Sequence, residues 1–431
     1  MLSRYIQSNV GSAFGREYGF ADITSYEDFA NKVPLQSYMD IEPWVERAIN
    51  GEVAVLTKEE PVGFELTSGT SSAVKVIPVT PKFRGELACA LSIWMKGWQQ
   101  RYPEVFEGAA YWSLSPRLGK GEKTSSGLPL GFTNDGAYFP DEVSYGLAKW
   151  LVAPEFGESD FFEQTAKVLL TTSNLRSISV WSPVFFLKLD EALDTRATWR
   201  EIWPELRVLS CWADAQAAMW KAQVLERLGE GVVFEPKGLL ATEGVTSIPD
   251  GSAARIARGV HFHEFIDCET GDVSLEVKQG RRYEVVLTTG AGLYRYRTGD
   301  IIEAGDGGRV GFVGRRGDCS DLVGEKLDGE HVVEAFRKAG VSGFIRVRED
   351  QRAYEIWVTD RGADVLAELR RNLHFSKALD TAQLDRCLLR SLPRGWASEA
   401  ARYLANKRFS REGDVKLPVI ERGELSALWE S

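Results

Sequence analysis

Residues 214–244 read DAQAAMWKAQVLERLGEGVVFEPKGLLATEG, and their order is helix, strand, turn. Asp214 can cap a helix, Trp220, Val224, Leu225 and Leu228 recur at helical spacing, and Gly229 can end it. Val232-Val233-Phe234 then reads as a buried strand entering the turn Ala241-Thr242-Glu243-Gly244. Upstream the order is strand, loop, helix. Phe64-Glu65-Leu66 is strand-like, a Ser/Thr-rich loop follows, 76–79 is extended, and Thr80-Pro81 starts a long helix toward Trp98. Together these segments predict an α/β layered fold, with β-sheets flanked by helices.

The pattern extends in both directions. Thr24-Ser25-Tyr26-Glu27-Asp28 resembles a capped helix start that Pro34 stops. After Gly251, segments 283–289, 293–297 and 301–304 are strand-like, and Gly305-Asp306-Gly307-Gly308 predicts a hairpin turn before 310–313. The polar run Gly314-Arg315-Arg316-Gly317-Asp318 suits a hinge. Beyond it we expect a small α+β domain, with strands at 344–347 and 354–358 and helices at 363–372 and 381–390. The predicted division is a large N-terminal body 1–314, a hinge 315–320 and a small C-terminal domain 321–431.

The 431 residues suit at least two domains and a large core. A net charge of −10 argues against a nucleic-acid surface, yet one local cluster of donors can still hold a small anion. No apolar run approaches the roughly 18 residues that span a bilayer. The opening Met1-Leu2-Ser3-Arg4-Tyr5-Ile6 lacks the apolar core of a secretion signal, so a cytoplasmic protein without membrane partners is expected. The five cysteines are scattered, without a Cys-x-x-Cys pair, which excludes a zinc knot or disulfide framework from the reading. His261 and His263 share a strand face, but four dispersed histidines do not suggest a metal site.

Three short segments carry candidate chemistry. In Thr67-Ser68-Gly69-Thr70-Ser71-Ser72-Ala73-Val74-Lys75, small residues leave backbone N–H groups open, hydroxyls add donors and Lys75 adds charge, as a polyphosphate requires. It is not a Walker loop, because Val74 stands where the second glycine belongs. Glu243, in a turn after a strand, is placed to meet a ligand and can take Mg²⁺, a cation that prefers oxygen. In Tyr294-Arg295-Tyr296-Arg297-Thr298-Gly299-Asp300, alternation predicts tyrosines on one face and arginines on the other, with Asp300 able to accept from both ribose hydroxyls. Each segment alone also fits an ordinary loop, turn or half-buried strand. Lys416, in Gly413-Asp414-Val415-Lys416-Leu417-Pro418, is on its own one solvated lysine among many.

In this order the segments resemble the adenylate-forming superfamily of acyl-CoA synthetases and luciferases. Within it they are most similar to the auxin-responsive acyl acid amido synthetases and their bacterial relatives. The stretches that carry the resemblance are 237–245 with Pro249, 288–300, 312–318 and 324–327, with the lead-in through Val33-Pro34 and Tyr38. The resemblance implies an ATP- and Mg²⁺-dependent ligase that converts a carboxylic acid to acyl-AMP and passes the acyl group to an amino acid or other amine. By motif it implies phosphate contacts from Ser68, Gly69, Thr70, Ser71, Ser72 and Lys75. Ala241, Thr242, Tyr296 and Lys326 would sit at the nucleotide, Glu243 at Mg²⁺, Asp300 at the ribose and Arg315 at the hinge near it. Lys416 would be the catalytic lysine of the mobile domain. A monomer or small homo-oligomer is expected. The loop departs from the family pattern, being one residue shorter and having Ser72-Ala73-Val74 where a glycine usually follows Ser71. Two alternatives follow, a thioester-forming ligase that uses coenzyme A or a carrier protein, and a non-catalytic binder of nucleotide or acid. Trp94, Trp98, Trp112 and Phe186 are unranked candidates for the acyl pocket.

Overall fold

A five-stranded parallel sheet lies at the centre of the N-terminal body in this computed structural model. Its order is Leu151–Val152, Ala109–Trp112, Leu175–Ser179, Val208–Cys211 and Val233–Pro236. The structure describes every residue except 67–74, 114–121, 133–137, 153–160, 317–318, 321, 324, 326, 361–363, 409–414 and 430–431. Val208–Cys211 is wholly buried, as expected of a parallel strand covered on both faces. Leu209 enters the core under helices Phe161–Thr171, Pro183–Ala192 and Lys221–Leu228, whereas Val208 enters the one under the long helix Pro81–Arg101.

The 214–244 reading holds in outline, with four corrections. The predicted single helix is a 3₁₀ turn, Ala215–Trp220, followed by Lys221–Leu228. Asp214 does not cap it through its side chain. Its carboxylate accepts from Phe312 N–H at 3.3 Å, tying this segment to the neighbouring sheet. Val224 and Leu228 are buried but Leu225 is exposed. The following strand is Val233–Pro236, and its inward residue is Glu235, with Val233 facing solvent. Glu235 is tolerated because Arg101 and the indole N–H groups of Trp94 and Trp98 satisfy it, three residues at one helical face of Pro81–Arg101.

A seven-stranded antiparallel sheet follows, ordered Ser247–Asp250, Ala253–Ile256, Arg309–Arg315, Tyr296–Ala304, Arg282–Thr288, Phe262–Asp267 and Val273–Ser274. The two strands predicted at 293–297 and 301–304 are one, Tyr296–Ala304, and the turn at Asp306–Gly308 leads into the next as expected. Arg295 has φ +49°, so the predicted alternation starts only at Tyr296. Arg295 is therefore not on an open arginine face. It is buried, ion-paired with Glu264 at 2.9 Å, and donates to the carbonyls of Ala30 and Val33.

Local signals hold well in the N-terminal lead-in. Ser25 and Asp28 form a capping box on Tyr26–Lys32, and Thr80 caps Pro81–Arg101 by accepting from Phe83 N–H. Gly63–Leu66 and Val76–Val79 pair as the predicted strands around the Ser/Thr-rich loop.

The C-terminal region has its own four-stranded sheet, ordered Arg386–Ser391, Ala353–Val358, Gly343–Arg348 and Ile420–Glu421. The helix expected at 381–390 is absent. Arg386–Ser391 is instead a strand parallel to Ala353–Val358, so pairing overrides the helical spacing of Leu384, Leu388 and Leu389. Helices Gly329–Ala339 and Trp396–Arg408 pack on segments 215–220 and 183–192 of the body, where Trp220 meets Trp396 at 5.9 Å. Among the described residues no helix is long and apolar enough to cross a membrane.

Candidate active site

A bulge sets the position of Asp300. Strand Arg282–Thr288 changes register against Tyr296–Ala304 between Glu284 and Val286, opposite Thr298-Gly299-Asp300. Gly299 has φ +77°, which a residue with a Cβ rarely adopts. Thr298 Oγ1 donates to Val285 O and accepts from Asp300 N–H, fixing the kink. Asp300 is thus mid-strand rather than at a strand end, re-aimed by the bulge. Its buried carboxylate accepts from Arg315 Nε at 2.7 Å. Arg315, one-fifth exposed, stands in the adjacent strand directly opposite.

Tyr296 joins the motifs. Its buried hydroxyl accepts from Lys75 Nζ at 3.4 Å, and its proton is held well above the usual phenol range, first by burial and then by the negative charge of Glu243. Arg315, Tyr38 and Asp300 also act on that hydroxyl electrostatically. Lys75, Glu243, Tyr296, Asp300 and Arg315, spread over 240 positions of sequence, therefore meet in one place.

Ala241, Thr242, Glu243 and Gly244 form a two-residue hairpin turn, with Leu240 opposite Val245 and Ala241 opposite Gly244. Glu243 is buried, and among the described residues no hydrogen-bond donor reaches its carboxylate. A buried carboxylate in that condition suits a cation. Among the described residues no cluster of three His, Cys, Asp or Glu could hold a metal by itself. A cation here would take most of its ligands from phosphate and water, as Mg²⁺ commonly does. His261 Nδ1 contacts Glu86 at 3.0 Å, and His263 bonds to the carbonyls of His261 and Val245.

A cavity of about 360 Å³ opens between the body and the C-terminal region. Lys416 lines it with Trp212, Asp214, Phe312, Arg315 and Lys237. The Lys416 ammonium lies 5.1 Å from the Trp212 ring centre and 5.5 Å from that of Phe312, within cation–π range. The loop carrying it brings Lys416 to the same cavity as Arg315. Lys237 was within the motif stretch but unassigned. The signal was a lone lysine between a strand and a glycine, with apolar neighbours on both sides. None of the four aromatic candidates lines this cavity. Trp98 and Phe186 are core, and Trp94 stacks on Trp112 at 5.5 Å. Ser68, Gly69, Thr70, Ser71, Ser72 and Lys326 lie outside the described residues, as do positions 317–318 of the expected hinge.

Known proteins are similar to this chain over most of its length. The GH3 family N-terminal domain matches residues 1–199 and the GH3 family central domain matches residues 255–307, together more than half of the chain. The chain belongs to the GH3 family. Among curated GH3 relatives, the 4-substituted benzoates-glutamate ligase GH3.12 of Arabidopsis thaliana is 23% identical over 70% of this chain. That match spans 65% of the relative, just under two thirds of its length. The indole-3-acetic acid-amido synthetase GH3.10 of Arabidopsis thaliana is 22% identical over 100% of this chain and 88% of the relative. Among solved structures, the GH3.15 acyl acid amido synthetase in complex with 2,4-DB superposes with a TM-score of 0.80 at 18% identity. It covers 99% of this chain and 91% of that one, which shows a shared GH3 fold.

Proposed function

We propose that this GH3 chain is an ATP-dependent acid–amine ligase. It activates a carboxylic acid as acyl-AMP and transfers the acyl group to an amino acid, forming an amide and AMP. The observation that carries this reading is the convergence of Lys75, Glu243, Tyr296, Asp300 and Arg315, with Lys416 on the adjoining cavity. The names of the relatives support it, since one is a benzoates-glutamate ligase and the other an indole-3-acetic acid-amido synthetase.

Each residue then has a physical task. Asp300 accepts from the ribose hydroxyls, and Arg315 holds that carboxylate in place. Thr242 and Ala241 face the nucleotide along the hairpin, and Lys75 with 68–72 takes the phosphates. Glu243 would hold Mg²⁺, which neutralises phosphate charge when bound. Lys416 offsets the charge that builds as the carboxylate attacks the α-phosphate. The attack expels pyrophosphate and gives the acid a good leaving group, and the amine then displaces AMP as it sheds a proton. We further propose that body 1–314 and lid 321–431 move about 315–320, which would withdraw Lys416 for the second step. A cytoplasmic setting, where ATP and amino acids are available, belongs to the same proposal.

The test is a screen of carboxylic acids against amino acids, with ATP and Mg²⁺, read by mass spectrometry. Amide and AMP are the expected products. A thioester formed only with coenzyme A would replace this reading, and nucleotide binding without turnover of any acid would end it.

A further inference from the structure

Lys237 is 3% exposed and lines the cavity that Lys416 also lines. Its ammonium hydrogen-bonds to Ser179 Oγ and otherwise faces rings, 4.6 Å from the Trp181 centre and 5.2 Å from that of Trp94. The groups around it do not supply a dedicated counter-ion. Cys211, on the neighbouring strand, keeps its proton because burial pushes the thiol up to about 12. Glu235, two residues back in the strand that leads to Lys237, already serves Arg101, Trp94 and Trp98. Ser179, Trp94 and Trp181 bring only a hydroxyl and ring faces. Burying a cation this way is costly unless an anion arrives to meet it.

We propose that Lys237 is the specificity-determining anchor for the acid, its ammonium pairing with the carboxylate of an apolar substrate acid. The cavity that Lys237 lines agrees with that class of ligand, because Trp212, Trp220, Val184 and Leu239 give it apolar walls. This inference rests on the ligase reading, since it supplies the acid which that reaction consumes. Burial pulls Lys237 down to about 7, so the free chain holds the charge at pH 6 and loses most of it above pH 8.

The experiment titrates benzoate, indole-3-acetate and hexanoate into the whole chain without nucleotide, with benzamide as the uncharged control. Calorimetry and tryptophan fluorescence read binding at pH 6 and pH 8.5. At least one carboxylate is expected to bind at pH 6 and benzamide far less. Affinity is expected to fall about thirtyfold by pH 8.5, the change in protonated fraction of a group titrating near 7. Lys237→Met should reduce carboxylate affinity to the benzamide level, abolish the pH dependence and leave ATP affinity within about twofold of the parent. Its melting temperature should not fall, because a desolvated charge has been removed. The wild-type pH profile tests the inference even if that variant folds poorly. Four outcomes would overturn it: no carboxylate bound by the wild type, a flat wild-type pH profile, a variant that binds acid normally, or a variant that loses ATP instead. Pyrophosphate release is a separate assay, so failure of the acid anchor and failure of the ligase reading remain distinguishable.

Discussion

Two buried carboxylates in this site differ in what neutralises them. Asp300 has Arg315, whereas Glu243 has no donor among the described residues. Substitution should therefore affect different quantities. Asp300→Asn is expected to raise the KM for ATP by about 10- to 100-fold, the value of charge-assisted hydrogen bonds, with the KM for the acid nearly unchanged. Steady-state kinetics with each substrate varied in turn would check it, and an unchanged KM for ATP would remove Asp300 from the ribose. Glu243→Gln should raise the Mg²⁺ concentration for half-maximal rate by about tenfold or more, a scale that metal sites show even for outer ligand partners. A Mg²⁺ titration of pyrophosphate release measures this directly. Asp300 was legible in the sequence as a residue type beside a glycine. Its position was not, because the bulge depends on pairing with a strand about fifteen residues upstream.

At the scale of elements, the antiparallel sheet gains stability from groups that sequence alternation misplaced. Arg295 and Glu264 are both buried and join the sheet to the lead-in carbonyls of Ala30 and Val33. Glu264→Gln leaves that guanidinium without its charge partner and is expected to cost about 3–5 kcal/mol, measurable by urea denaturation. A cost below about 1 kcal/mol, the range of surface pairs, would show that the clamp is dispensable. His263 gives the fold a pH dependence. Burial is the main reason its imidazolium is disfavoured, with a pKa lowered to about 4. Between about 6.5 and 4 the unfolded chain binds a proton that the folded chain refuses, so stability is full above 6.5 and declines as pH falls through that window. The loss through this residue approaches about 3 kcal/mol near pH 4. His263→Gln should flatten the denaturation midpoint over that range, and an unchanged slope would exclude His263 as its source. Capped helices such as Tyr26–Lys32 and Pro81–Arg101 were readable because their signals are local. Arg386–Ser391 was not, since a strand partner about thirty residues away decides its state.

At the scale of the whole molecule, the layered α/β body and the separate C-terminal sheet were legible from the order of segments. The cavity between them was not. It forms where Pro183–Ala192 and Ala215–Trp220 meet Gly329–Ala339 and Trp396–Arg408, and short motifs do not encode that contact. Lys416 could be named from its motif, but only the fold brings it to the cavity that Arg315 and Lys237 also line. The central claim is that this site adenylates an acid with Lys416 offsetting charge in the transition state. The decisive measurement is pyrophosphate release by the wild type and by Lys416→Ala, using an acid that the screen identifies, beside amide formation from the pre-formed acyl-adenylate. The account predicts a loss of about 10²- to 10³-fold in pyrophosphate release, the value of one transition-state donor, with amide formation from the adenylate largely retained. Equal pyrophosphate release by the two proteins, or loss of both steps together in a folded variant, would contradict it.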